Sequence, residues 1–160
     1  MGEGQTKAVV EREDRRVATS DWGPLVSFAG LSEVQGNLIQ FKNMIGKLTG
    51  KNALINYGFY GCHCGWGGKG TPMDATDRCC LAHDCCYSKL VKKGCKLKTQ
   101  AYNFKYKSGS ITCGSGNYCQ KQLCACDRTV AYCMKKNQKS YKVKYRNYPN
   151  FLCKGNKPKC

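Results

Sequence analysis

Two short stretches of this chain carry residue types that could do chemistry together. Residues 60–68 read YGCHCGWGG, and residues 77–87 read DRCCLAHDCCY. The glycines of the first stretch let backbone carbonyls turn inward, towards a hard cation such as calcium that prefers six to eight oxygen ligands. The second stretch places a base, His83, beside a carboxylate, Asp84. A histidine next to a cation-binding carboxylate is suited to activate water and to stabilise an oxyanion.

Each stretch also has a plainer interpretation. A glycine-rich loop alone is more often a tight surface turn, His83 alone a hydrogen-bonded core histidine, and Asp84 an ordinary helix carboxylate. Neighbours on a helix point about 100° apart, so one side chain can face a substrate while the other faces a metal. A catalytic histidine usually needs an orienting partner. The candidate is Asp127, the only acidic residue after Asp84.

The cysteines predict a disulfide-rich scaffold. All 14 of them lie between Cys62 and Cys160, and the number is even. Seven bridges without a free thiol are the simplest arrangement, and they require an oxidising compartment. A zinc site is disfavoured, because vicinal Cys-Cys pairs close a tetrahedron poorly. A chain of 160 residues is long enough for one domain with a modest core.

The charge is strongly positive and unevenly distributed. The formal net charge is +17, yet residues 1–36 hold four basic and six acidic residues, a net of −2, so residues 37–160 carry +19. Self-repulsion at that density favours a polyanionic partner, and anionic lipid, heparin-like glycan and nucleic acid all qualify by charge. No recognisable nucleic-acid motif is present, and the basic residues are scattered, so we expect no nucleic-acid partner.

The composition changes near residue 36. Residues 1–36 contain no cysteine, and residues 22–31 are only partly apolar and are interrupted by Gly and Pro, so no signal peptide is recognisable. We expect residues 1–36 to be an atypical segment that is disordered or removed. Residues 37–160 are expected to form the folded domain.

Periodicity within that domain predicts mainly helical structure. Apolar residues at helical spacing predict a helix over residues 37–47, and a second helix is expected to follow an N-cap at Asp74 and to run to about residue 92. A third helix is expected over residues 121–136. Between them, residues 56–71 are expected to form a loop, and residues 102–113 a short hairpin.

Residues 60–68, residues 79–86 (CCLAHDCC) and residues 124–127 (CACD) resemble, in order, the calcium loop, the active-site helix and the second helix motif of the secreted phospholipases A2. The resemblance covers about residues 37–160, and the basic extension ending at Cys160 is similar to the group II branch. It implies the phospholipase A2 fold, with two long antiparallel disulfide-linked helices, an N-terminal helix, a calcium loop and a short β-hairpin. It also implies that residues 37–160 form the catalytic domain.

The resemblance assigns roles to single residues. It implies Ca²⁺ held by the carbonyls of His63, Gly65 and Gly67 and by Asp84, with the Gly65 amide at the oxyanion. His83 would be the general base and Asp127 its orienting partner, with supporting hydrogen bonds from Tyr87 and Tyr102. Asp84 is present, whereas inactive toxin-like members carry another residue there. The implied reaction is calcium-dependent hydrolysis of the sn-2 ester of glycerophospholipids.

The resemblance also implies the cysteine pairing, which the spacing alone leaves open. The implied bridges are Cys62–Cys153, Cys64–Cys80, Cys79–Cys133, Cys85–Cys160, Cys86–Cys126, Cys95–Cys119 and Cys113–Cys124.

The expected partner is a phospholipid membrane surface, preferably anionic. Leu38, Phe41 and Ile45 match positions that line the acyl-chain channel of the family, although plain helix core would suit them equally. Trp66 is expected at the membrane interface, because an indole in a polar loop favours that location. The alternative is a cationic ligand of heparan sulfate proteoglycan or of a receptor, with catalysis secondary. We expect a secreted, extracellular monomer.

Overall fold

The computed structural model describes residues 28–160 apart from residues 66–67 and 98–99, and it describes residues 28–36 through their backbone alone. Within this part, the elements are α1 (Phe28–Thr49), α2 (Ala53–Tyr57), α3 (Ala75–Lys92), β1 (Phe104–Lys107), β2 (Ser110–Cys113) and α4 (Tyr118–Lys136). Three single turns of 3-10 helix follow, at Gln138–Ser140, Val143–Tyr145 and Asn150–Leu152. The predicted helical, disulfide-rich fold is confirmed. No helix in the described residues is long and apolar enough to cross a membrane.

The helices α3 and α4, joined by two disulfides, form the frame of the molecule. Cys79 of α3 is bridged to Cys133 of α4, and Cys86 of α3 is bridged to Cys126 of α4. The partner's number falls as the number along α3 rises, so the two helices run antiparallel. Two covalent ties along one contact fix both the distance and the register of the helices, which suits them to hold side chains of a site in place.

All seven disulfides join the cysteines that the resemblance implies, and no cysteine is free. Five of the bridges lie outside the α3–α4 pair. Four of them tie other segments to the frame: the loop before α3 through Cys64–Cys80, the C-terminus through Cys85–Cys160, the loop after α3 through Cys95–Cys119 and strand β2 through Cys113–Cys124. The fifth, Cys62–Cys153, joins the loop before α3 to the C-terminal segment. Irregular segments with little core of their own are thereby held in one arrangement.

Helix α1 begins at Phe28, earlier than the predicted start at residue 37. No proline interrupts residues 28–49, and the nearest one upstream is Pro24, so nothing in this stretch forces the helix to end. The expected apolar face is present further along, where Met44, Ile45 and Leu48 are buried.

Capping explains the other boundaries that the periodicity missed. Asn52 caps α2 by accepting a hydrogen bond from the Ile55 N–H, so a short helix occupies residues that overlap the predicted loop. Asn117 and Gln120 form a capping box, which starts α4 at Tyr118 instead of residue 121. Helix α3 begins after Asp74, as predicted, because the Asp74 side chain accepts a hydrogen bond from the Asp77 N–H.

The predicted hairpin is present in a shorter form. Strands β1 and β2 pair antiparallel with Phe104 opposite Cys113 and Lys107 opposite Ser110. The two turn residues, Ser108 and Gly109, both have positive φ, the conformation that a tight two-residue hairpin turn requires. The core lies between α1, α3 and α4, and it includes Leu123, Val130 and Met134 of α4, all at most 2% exposed.

Candidate active site

The α3–α4 contact brings His83 and Asp127 together across 44 residues of sequence. The distance between His83 Nε2 and Asp127 Oδ1 is 2.6 Å. Asp127 is completely buried, and His83 is 9% exposed. Because a carboxylate only accepts, Nε2 carries the proton and donates to Asp127, which leaves Nδ1 of the imidazole as the basic atom. The arrangement is that of a general base held by an orienting carboxylate.

Two tyrosine hydroxyls complete the surroundings of the Asp127 carboxylate. Tyr87 donates to Oδ1 over 2.6 Å, and Tyr102 donates to Oδ2 over 2.5 Å. Burial, and then the nearby charge of Asp127, raise the pKa of Tyr102 well above its ordinary value, so it remains a donor. Three donors therefore stabilise a carboxylate that has no access to water.

The structure places the three predicted channel residues of α1 in different surroundings. Phe41 stacks on the His83 ring, with 4.7 Å between ring centroids and 19° between planes. Ile45 is 2% exposed and packs in the core. Leu38 is half-buried. The contact between Phe41 and His83 joins α1 to the predicted general base, and the sequence pattern did not indicate it.

The glycine-rich loop has a backbone path that only glycine allows at certain positions. Gly65 has a φ of +80°, and a Cβ there would lie 1.7 Å from the carbonyl oxygen of Gly58. Gly68 has a φ of +96°, and its Cβ position lies 3.8 Å from Asp84 Oδ2. The loop thus folds back towards the Asp84 carboxylate on α3. The predicted ligand Gly67 and the predicted interfacial residue Trp66 lie outside the described residues.

A buried carboxylate that the sequence reasoning passed over holds the start of this loop. Asp77 is completely buried. Its Oδ2 accepts from the N–H groups of Cys62 at 2.7 Å and Met73 at 2.8 Å, and its Oδ1 accepts from that of His63 at 2.7 Å. Burial raises the pKa of Asp77, against the lowering effect of these donors. A Cβ at Gly61 would approach the Asp77 carboxylate to 2.5 Å, so the close contact requires glycine.

His63 closes the other end of the loop. Its Nε2 lies 2.9 Å from the carbonyl oxygen of Gly70, so Nε2 carries the hydrogen in that bond. Its Nδ1 is buried and lies 3.7 Å from the Cβ position of Gly68, and no group in the described part of the chain forms a hydrogen bond with it. The His63 side chain therefore links the loop to Gly70, while the backbone N–H of His63 donates to Asp77.

The donor set around this loop fits calcium. The loop curls beside one carboxylate, and backbone carbonyls with a carboxylate are the hard oxygen ligands that calcium prefers. The described residues contain no group of three or more His, Cys, Asp or Glu side chains that could hold a metal ion. A site for a softer metal such as zinc would need such a group. Calcium held mainly by carbonyls would not.

Exposed apolar side chains lie on and just after α2, and the backbone of residues 58–59 passes next to Gly65 of the loop. Leu54 is 50% exposed, Ile55 is 62% exposed, and Phe59, just after the helix, is 55% exposed. We call these three residues the α2 face. The sequence does not indicate the α2 face, because residues 53–59 have no clear amphipathic period. The only available signal was several large apolar residues in a short, capped helix.

Comparisons with known proteins agree with this geometry. The sequence model of the phospholipase A2 family matches residues 38–146. The human protein "Phospholipase A2 group V" is 54% identical over 132 residues, which cover 81% of this chain and 96% of the relative. The mouse protein "Phospholipase A2, membrane associated" is 55% identical over 82% of this chain and 90% of its own length. "Basic phospholipase A2 B" of Gloydius halys is 50% identical over 79% of this chain and 91% of its own length. The chain belongs to the phospholipase A2 family.

Proposed function

We propose that this protein hydrolyses the sn-2 ester of glycerophospholipids at membrane surfaces in a calcium-dependent reaction. The products are a free fatty acid and a lysophospholipid. The observation that carries the proposal is the buried Asp127 carboxylate, which holds the imidazole of His83 at 2.6 Å while the Tyr87 and Tyr102 hydroxyls donate to its two oxygens.

The proton transfers follow from the orientation of the imidazole. Nε2 of His83 donates its hydrogen to Asp127, so Nδ1 is the atom that removes a proton from water as the water oxygen attacks the sn-2 carbonyl carbon. The Asp127 carboxylate stabilises the imidazolium that forms. The imidazolium then returns the proton to the departing glycerol oxygen as the carbon–oxygen bond breaks. No acyl-enzyme is formed, because water itself is the nucleophile.

The residues proposed to hold calcium are His63, Gly65 and Gly67, through their carbonyls, and Asp84, through its carboxylate. Calcium, when bound, supplies a positive charge that polarises the ester carbonyl and offsets the negative charge that develops on its oxygen. The Gly65 N–H is proposed to donate to the same oxygen. A buried Asp77, bonded to the backbone on the approach to the loop, keeps these groups in place before the substrate arrives.

The proposed membrane contact is the α2 face together with Trp66. Three large exposed apolar side chains on and just after α2 favour transfer into the boundary region of a bilayer. The net charge of +19 on residues 37–160 favours anionic lipid, and each lysine near an anionic surface contributes about 1 kcal/mol. The substrate then reaches His83 from the bilayer without passing through bulk water.

A ligand role with secondary catalysis is not favoured, because the catalytic residues of the family pattern are all present and relatives at about half identity are named as phospholipases A2. Heparan sulfate proteoglycan or a receptor remains a predicted additional partner, and a monomer the predicted state. Seven disulfides support an extracellular location.

A related proposal concerns residues 1–36. We infer that the active chain starts at or near Asn37 and that the preceding segment reduces action on vesicles. The Asn37 side chain is 8% exposed and donates to the carbonyls of Leu97 and Gln100. A chain starting there would place its ammonium group in this contact region. Full-length protein should hydrolyse dispersed substrate but act weakly on vesicles. Equal vesicle rates for full-length and Asn37-start proteins would contradict this.

The main test is a calcium-titrated assay on mixed phospholipid vesicles, with His83→Gln as the paired variant. We expect hydrolysis at the sn-2 position that requires calcium. The His83→Gln protein should bind calcium with unchanged affinity and lose activity roughly 10²–10⁴-fold, since the general base is gone. Near-parental rates in His83→Gln would show that another group activates the water.

A further inference from the structure

The C-terminal segment contacts the glycine-rich loop at both of its ends. Where the loop begins, the Gly61 N–H donates to the carbonyl of Tyr145 over 2.9 Å. Where it ends, the Thr71 N–H donates to the carbonyl of Lys154 over 2.8 Å. We call residues 145–156 the C-terminal strap. Because both bonds use backbone N–H groups of the loop, the strap restrains the path of the loop main chain directly.

Two disulfides fix the C-terminal strap in place beside the site. Cys153, within the strap, is bridged to Cys62 of the loop. Cys160, beyond the end of the strap, is bridged to Cys85, which follows Asp84 on α3. A segment tied covalently both to the loop and to the helix that carries Asp84 has few arrangements open to it, so it can act as a rigid support.

The contact at the far end of the loop leaves no room for a side chain on either backbone. Gly70 has a φ of +77°, and a Cβ there would lie 2.7 Å from the carbonyl oxygen of Lys154. Gly155 has a φ of +86°, and a Cβ there would lie 2.5 Å from the Thr71 hydroxyl oxygen. That hydroxyl donates to the carbonyl of Asn156 over 3.0 Å. The strap and the loop therefore pack main chain against main chain, which glycine alone allows at these two positions.

This contact is linked to a proposed calcium ligand through one further bond. The carbonyl of Gly70, next to Thr71, accepts from Nε2 of the buried His63 over 2.9 Å. The backbone carbonyl of the same histidine is one of the groups proposed to hold calcium. A displacement of Thr71 would move the Gly70 carbonyl, and the orientation of His63 would change with it.

We propose that the C-terminal strap positions the glycine-rich loop for calcium, with Thr71 as the positioning residue. The inference rests on the proposed function, since it concerns the ion that the proposed reaction requires. A loop held in its binding conformation loses little conformational freedom when the ion arrives, whereas a loop released from the strap must be ordered by the ion itself. Loosening the strap therefore lowers calcium affinity, and the calcium-loaded site keeps its kcat.

The first test is Gly155→Ala, which inserts a methyl group between the C-terminal strap and Thr71. Calcium binding is measured by isothermal titration of the full chain without lipid, and kcat on dispersed short-chain phospholipid at saturating calcium. We expect the calcium dissociation constant to rise roughly 3- to 10-fold, the equivalent of one hydrogen bond, with kcat near the parental value.

The matched control is Gly94→Ala. The φ of Gly94 is +91°, so alanine is strained there as it is at Gly155, but its Cβ would meet no atom of the described residues within 4 Å. This variant should change the calcium dissociation constant by no more than about two-fold. The pair separates the cost of a positive φ from the effect of the contact with Thr71.

A second pair of variants tests the hydroxyl of Thr71. Thr71→Val removes the donor to Asn156 and nearly keeps the shape of the side chain, so the calcium dissociation constant should rise several-fold. Thr71→Ser keeps the donor and should bind calcium as the parent does. Neither variant should alter kcat at saturating calcium.

Each outcome of these measurements decides the proposal. Unchanged calcium affinity in Gly155→Ala or in Thr71→Val, an equal loss in Gly94→Ala, or a loss of kcat that excess calcium does not restore would each overturn it. A parent protein that binds calcium but hydrolyses no phospholipid, with binding still weakened in Gly155→Ala, would contradict the proposed function alone. A parent that binds no calcium would contradict both.

Discussion

The two halves of the proposed active site, the helix pair and the glycine-rich loop, are held in different ways. The helix pair α3–α4 positions His83 and Asp127 through side chains, which two inter-helical disulfides bring into register. The glycine-rich loop has no regular secondary structure. The Asp77 carboxylate accepts hydrogen bonds from its backbone, and the His63 side chain bonds to the carbonyl of Gly70. Chemistry that needs a side-chain base is built on helices, whereas chemistry that needs convergent carbonyls and an amide is built on a loop that must be held by something else.

The contrast predicts different consequences of changes in the two halves. A change in the helix pair should alter the rate of the chemical step at saturating calcium. A change in the support of the loop should alter the calcium concentration that the enzyme requires.

Asp84→Lys is expected to have the most severe effect, because it lies where the two halves meet. Lysine places an ammonium group where calcium needs carboxylate oxygens. We expect no detectable calcium binding and no hydrolysis, with far-UV circular dichroism unchanged because the disulfide frame is intact. Calcium-dependent turnover in this variant would contradict the assignment of the metal site.

Asp77→Asn tests the support of the loop. The amide offers one acceptor atom where Asp77 now offers two, so one backbone N–H of the buried cluster loses its partner. We expect the calcium concentration for half-maximal rate to rise roughly 10-fold, while kcat at saturating calcium recovers to near the parental value.

The matched control for this change is Asp74→Asn. Asparagine caps a helix as well as aspartate does, so the cap of α3 remains. The calcium requirement should then stay at the parental level. A loss of kcat in Asp77→Asn that excess calcium does not restore would show that Asp77 supports the fold and not the loop.

Substitutions of Tyr102 and Tyr87 test how the helix pair α3–α4 supports the Asp127 carboxylate. Tyr102→Phe should lower kcat roughly 10-fold, because Asp127 Oδ2 loses the buried hydroxyl that donates to it. Tyr87→Phe should have a smaller effect, since Oδ1 keeps its bond to His83. Both variants should keep the parental calcium requirement, which isothermal titration with calcium would measure. A changed calcium affinity would mean that the two halves are coupled more tightly than the contacts indicate.

Trp66→Ala is expected to have the smallest effect on the chemical step. The change removes interfacial burial of an indole and leaves the basic surface in place, so activity on zwitterionic vesicles should fall several-fold more than activity on anionic ones. Initial rates on the two vesicle types, with dispersed substrate as the control, provide the measurement. Equal losses on both would mean that Trp66 packs internally.

Much of the secondary structure could be predicted from the sequence, because helix starts and tight turns depend on local properties. Asp74 as an N-cap placed the start of α3, and the turn at Ser108 and Gly109 placed the hairpin. The predicted start of α1 was wrong because no proline interrupts residues 28–36, and α2 was missed because five residues are too few to show a period.

The sequence by itself determined which groups are available for catalysis: a histidine beside a carboxylate, one distant acid, a run of glycines and an even number of cysteines. Only the tertiary structure decided how they are supported. The stacking of Phe41 on His83, the bonds from the N–H groups of Cys62 and His63 to Asp77, and the bond between His83 and Asp127 each join residues at least 14 positions apart in sequence. Local propensity carries no information about such contacts, because they depend on the packing of helices and on covalent ties that act across the whole chain.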